Sequence, residues 1–92
     1  MATFLMYGKY SPDALKEMSA DRTQRAVDLT GQFGGKIESM YATLGEHDLV
    51  FVTSFPSLED AIRASVELTR MTGISFATAP AVTVEEFDKM IS

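Results

Sequence analysis

No cysteine occurs in these 92 residues. That removes disulfide cross-links, thiolate nucleophiles and sulfur-ligated zinc. Basic residues are scarce and scattered, 8 against 13 acidic ones, for a net charge of −5. With no basic stripe to neutralise a row of phosphates, neither DNA nor RNA is an expected partner. An anionic membrane surface would repel the same acidity. A long apolar run is also missing, and the opening MATFLMYGKYSPD has no basic region ahead of a hydrophobic stretch. Neither a membrane span nor a secretory leader is expected, so a cytoplasmic location is the default. No G-x-G-x-x-G or P-loop pattern is present, so no nucleotide, and no other cofactor, is expected. The single histidine, His47, would need carboxylates such as Glu38, Glu46 and Asp48, or a second subunit, to complete a metal site, and no metal is expected.

What is present suits a globular chain: 46% of the residues are hydrophobic, too many for a disordered one. Residues 1–92 read as a single domain. A core this small is thin, and self-association is a common remedy because a shared interface buries further apolar area.

The aromatic and aliphatic stretch Ala2–Tyr10 reads as a strand. Ser11, Pro12 and Asp13 then make a helix start. Ser19 and Asp21 make another, so a short helical piece is followed by a longer helix over Ala20–Phe33. Its packing face is Ala26, Leu29, Thr30 and Phe33, and Gly34-Gly35 ends it. Strand two spans Gly35–Leu44, with Ile37, Ser39, Tyr41 and Thr43 on one face and Lys36, Glu38, Met40, Ala42 and Leu44 on the other. Strand three spans Asp48–Phe55, and its run Leu49-Val50-Phe51-Val52 asks for burial on both faces. A helix over 57–73 follows, with Leu58, Ala61, Ile62, Ser65, Leu68 and Thr69 on its packing face. Strand four spans Ile74–Val82, and Pro80 inside it marks a sheet edge. The T-x-x-E pattern Thr83…Glu86 caps a last short helix.

The order β-α-β-β-α-β plus a terminal helix is the split βαβ, or ferredoxin-like, arrangement of an α+β protein with one four-stranded antiparallel sheet. Two helices cover one sheet face. Only the short C-terminal helix remains for the other, so the economical cover is a second copy of the chain, giving a dimeric α+β barrel.

The turn Gly45-Glu46-His47-Asp48 between strands two and three carries two readings. As structure, Gly45 supplies a positive φ and Asp48 brackets the turn. As a site, His47 and Asp48 line a pocket, the imidazole acting as acid, base or ligand. Neighbours on an extended strand point to opposite faces, which weighs against a direct Asp48–His47 pair. A second set, Tyr7, Lys9 and Tyr41, offers two phenols and an ammonium to a small anion or carbonyl compound. The plainer reading makes both tyrosines core or interface aromatics and Lys9 a solvated charge. Glu59–Arg63 and Glu67–Arg70 have the spacing of surface helix pairs, and Met6, Met18, Met40 and Met71 are expected to fill core gaps. Ser39, Ser54 and Ser65 lack a nucleophile elbow, and no catalytic set is visible around them.

The stretch GGKIESMYATLGEHDLVFVTSFPS resembles the core of the GYD domain family: a Gly-Gly-Lys start to strand two, a Tyr-x-Thr-Leu-Gly segment, and a turn into an apolar strand. GKY after strand one, the helix arginine and the terminal VEEF fit the same pattern, so the likeness covers nearly the whole chain. Gly45 and Asp48 match the Gly-x-Tyr-Asp turn, but His47 stands where the family has tyrosine. The resemblance implies a bacterial protein with the ferredoxin-like, dimeric barrel fold and assigns no general activity. The function expected is binding of a small, partly apolar molecule in a cleft between sheet and helices, with Tyr7, Lys9, Tyr41, His47 and Asp48 as candidate ligand-binding residues. The alternatives are a small cofactor-free enzyme (monooxygenase, isomerase or lyase), with His47 as its candidate catalytic residue, or a purely structural assembly protein.

Overall fold

A computed structural model describes residues 1–92. The elements run β1 (Ala2–Lys9), α1 (Pro12–Lys16), α2 (Ala20–Gln32), β2 (Lys36–Ala42), β3 (Leu49–Phe55), α3 (Leu58–Thr72), β4 (Ser75–Ala81) and α4 (Val84–Ile91). The four strands form one antiparallel sheet in the order β2-β3-β1-β4. This is the ferredoxin-like α+β fold.

The helices start where short hydroxyl side chains allow it. Ser11, Ser19, Ser57 and Thr83 each accept a hydrogen bond from the backbone N–H three residues on, at 3.0, 3.0, 3.2 and 3.1 Å. Each satisfies a donor that the first helical turn leaves free. Gly73 closes α3 with φ 74°, and Gly34 turns the chain out of α2 with the same φ. Pro80 sits in β4, an edge strand, where its missing N–H costs the sheet no ladder bond on the outer side.

The core lies between α2, α3 and one face of the sheet. Phe4 and Met6 of β1, Phe51 and Phe55 of β3, Ala26 of α2 and Ala61, Ala64 and Leu68 of α3 form one buried cluster. Phe4 and Phe55 meet edge to face, ring centres 6.0 Å apart at 71°. The buried Thr53 hydroxyl donates to the Phe4 carbonyl at 2.9 Å, and no buried side-chain polar atom lacks a partner.

Several sequence expectations shift. β2 does not alternate strictly. A bulge between Ile37 and Ser39 inserts Glu38 without a partner opposite it. The extra residue resets the alternation, so Ile37 and Met40 both pack on the core while Ser39 and Tyr41 share the other face. The buried face of α3 is Ala61, Ala64, Ser65, Leu68 and Thr72, and Leu58 and Ile62 are exposed. Alanines at the contact let the helix approach the sheet, which rotates the larger side chains outward. Met18 and Met71 are exposed, while Met6 is buried and Met40 packs on the core. Glu67 pairs with Arg70 at 2.7 Å, but Arg63 and Glu59 form no ion pair.

The second sheet face is bare. Leu5, Tyr7, Val50 and Val52 stand between the core residues of β1 and β3 and point away from the helices. In register beside them lie Ala77 and Ala79 of β4 and Tyr41 of β2. Together they make a contiguous apolar patch. The helix α4 does not cover it: none of its residues is buried, and Val84, Phe87, Met90 and Ile91 leave an apolar stripe exposed. No helix of the chain is long and apolar enough to cross a membrane.

Candidate functional site

A gap opens between the sheet and α2. Arg22, Thr23 and Ala26 of α2 line it together with residues of β2, β3 and β4. The result is a cleft of about 250 Å³. Its walls are Ala26, Met40, Phe51, Leu68, Ile74 and Phe76, and ten of its 13 lining residues are hydrophobic. Phe51 and Phe76 form the floor, ring centres 5.4 Å apart. Apolar walls with a few converging polar groups are the usual make-up of a small-molecule site.

The three other lining residues are Arg22, Thr23 and Thr72, and Tyr10 adds its ring beside Arg22. Arg22 is half-buried at the third position of α2. One guanidinium N–H donates to the Ala14 carbonyl of α1 at 2.6 Å, and the group lies 5.8 Å from the Tyr10 ring centre. Those contacts tie α2 to α1 and fix where the cation sits. Its sequence neighbour Asp21 pairs with Arg25 at 3.0 Å instead, so Arg22 has no carboxylate partner.

The turn between β2 and β3 is built differently from the sequence expectation. The positive φ falls on Leu44, at 50°, and Gly45 has none. The Asp48 carbonyl, rather than its side chain, brackets the turn by accepting from the Thr43 and Leu44 N–H groups at 2.9 and 3.3 Å. That frees the carboxylate to hold the end of β1. It accepts from the Tyr10 N–H at 3.0 Å and from Lys9 Nζ at 3.3 Å, and Lys9 also donates to the Gly45 carbonyl at 2.9 Å. Asp48 is buried at 8% exposure, so it fixes Tyr10 and, through it, one side of the cleft mouth. Asp48→Ala would leave the Tyr10 N–H without its partner; the expected cost is about 1–3 kcal/mol in urea unfolding.

His47 makes no bond to Asp48. Its ring lies against Tyr7 instead, centres 4.6 Å apart and tilted by 37°. Tyr7 is on the bare sheet face, opposite the cleft, and neither Tyr7 nor His47 lines any cleft of the protomer. Of the five candidate residues, the structure thus groups Tyr7 with His47 and Lys9 with Asp48. Tyr41 stands opposite Val50 on the same bare face as Tyr7, at the strand end that borders the cleft. No three His, Asp or Glu side chains gather as metal ligands do. The residues that sequence reasoning missed are Tyr10, Arg22 and the Phe51–Phe76 floor. One signal for Arg22 exists in the sequence: a cation in the first turn of a helix opposes the macrodipole, which favours acidic groups there.

Comparison with known proteins bears out the fold. The leucine response regulatory protein LrpA of Mycobacterium tuberculosis superposes with a TM-score of 0.61 at 12% identity, over 89% of this chain and 51% of that one. A homoserine dehydrogenase from Thiobacillus denitrificans does so with a TM-score of 0.54 at 16% identity, over 86% of this chain and 17% of that one. The chain therefore spans about half of the first protein and a small part of the second. No curated protein matches the sequence. The GYD domain profile matches residues 4–91, and the chain belongs to the GYD domain family.

Proposed function

We propose that this chain is a cytoplasmic homodimeric domain that binds a small, partly apolar molecule in the cleft between its sheet and helices. The observation that carries the reading is the cleft itself: an apolar volume of about 250 Å³ with a fixed cation at its mouth. A molecule seated there would bury the faces of Phe51 and Phe76, and each Å² of apolar surface removed from water contributes about 25 cal/mol.

The dimer rests on the bare sheet face. Leu5, Tyr7, Val50 and Val52 are half-buried in the protomer, and a second sheet laid on them would complete their burial by a closed two-fold contact. The stripe on α4 offers further apolar area to the same assembly.

A titration of labelled protein with 1-hexanol and hexanoate, followed by heteronuclear NMR, tests the cleft. The amide signals of Ala26, Phe51 and Ile74 are expected to move. Ala42→Trp places a large side chain on an exposed strand position at the cleft wall; it is expected to abolish those shifts while the melting temperature stays within a few degrees. Shifts confined to other surfaces, or unaffected by Ala42→Trp, would overturn the reading.

A second reading, a small cofactor-free enzyme, has one contact in its favour: His47 against Tyr7, with Lys9 on the same strand face. In that reading the reacting molecule lies between the facing sheets, and the amides that move belong to Tyr7, His47 and Val50.

A further inference from the structure

We propose that the cleft selects a small apolar monocarboxylate whose head group pairs with Arg22. This rests on the binding reading above and adds the chemical class of the ligand.

Arg22 is the one charged side chain lining the cleft. It is half-buried, and none of the chain's acidic residues pairs with it, although acidic residues outnumber basic ones by 13 to 8. A guanidinium carries five N–H donors. One is committed to the Ala14 carbonyl. The fork that remains matches a carboxylate, whose two oxygens accept parallel bonds. The Ala14 bond and the Tyr10 ring hold the group in place before a ligand arrives, so little side-chain freedom is lost on binding.

The walls set the rest of the ligand. They contain no carboxylate to receive an ammonium and no second cation to balance a dianion. A primary amine would meet Arg22 as a like charge. A zwitterionic amino acid would leave its ammonium unpaired against Phe51 and Phe76, and an unpaired buried charge is costly. A dicarboxylate or phosphate would leave one negative charge uncompensated in the same surroundings. An acid with one charge and an apolar tail is the class that leaves nothing unpaired.

Calorimetric titration of the full chain at neutral pH with hexanoate, 1-hexanol, hexylamine and norleucine tests this. Hexanoate is expected to bind about tenfold to a hundredfold tighter than 1-hexanol, the size of a hydrogen bond to a charged group. Hexylamine and norleucine are expected to bind more weakly than the alcohol. Arg22→Gln should bring hexanoate down to the level of 1-hexanol without weakening the alcohol, and Arg22→Lys should restore part of the preference. Equal affinity of the wild-type chain for acid and alcohol, or an acid preference that survives Arg22→Gln, overturns the carboxylate assignment while the cleft remains a binding site. Failure of all four compounds to bind overturns the binding reading itself. Should Arg22→Gln not fold, the ranking of the four compounds on the wild-type chain decides alone.

Discussion

Val52→Lys is expected to convert the proposed dimer into a 10.1 kDa monomer. Val52 lies at the middle of the bare sheet face, opposite Leu5 of β1 and Ser39 of β2. It is half-buried in the protomer, so a lysine there keeps its ammonium in water and leaves the isolated fold nearly as stable as before. In the proposed dimer the same side chain would lie under a second sheet. An uncompensated charge in such a contact costs about 3–5 kcal/mol, and two-fold symmetry places a second lysine in the same interface. The dissociation constant should rise by roughly a hundredfold or more. Sedimentation equilibrium reads the change in mass, and circular dichroism of the monomer should retain the wild-type spectrum. An unchanged mass would remove the sheet face as the contact and leave the stripe of α4 as the next candidate.

Gly35→Ala is expected to be the most damaging single-methyl addition in the chain. A Cβ at position 35 would clash with the ring of Phe55, at Cδ1, Cε1 and Cζ. That ring is fully buried and packed edge to face on Phe4, so it has no room to withdraw. Overpacking of this kind costs about 1–3 kcal/mol, which lowers the melting temperature by about 4–8 °C per kcal/mol in a domain of this size. Phe55→Leu in the same chain should recover part of the loss, because the two substitutions share one space. Gly45→Ala is the contrast. Nothing lies within 4 Å of a Cβ built there and its φ is not positive, so it should stay within about 0.5 kcal/mol of wild type.

Those two glycines show what the sequence makes legible. Turn composition points to Gly45 as the special residue, and the strain actually sits on Leu44. Gly35 reads from the sequence only as part of a helix stop, because the steric reason for it is a ring 20 residues away. The helix starts, by contrast, can be read one residue at a time: Ser11, Ser19, Ser57 and Thr83 act on N–H groups three positions along. The order of strands follows from the element order and the handedness of crossovers. The bulge at Glu38 does not, since alternation carries no sign of an inserted residue until the partner strand is known. The site divides along the same line. His47 and Asp48 stand out as types, yet Asp48 serves the backbone of Tyr10 and His47 packs on Tyr7. The α2 side of the cleft is lined by Arg22, Thr23 and Ala26, of which the sequence marks only Ala26, as part of a packing face.

What the cleft holds is tested most directly by a crystal structure of the protein soaked with hexanoate. The predicted result is ligand density on the Phe51–Phe76 floor beside Ala26, with both carboxylate oxygens within hydrogen-bond distance of Arg22. Density between two facing sheets at Tyr7 and His47, with the cleft on the helix side closed by its own side chains, would contradict it.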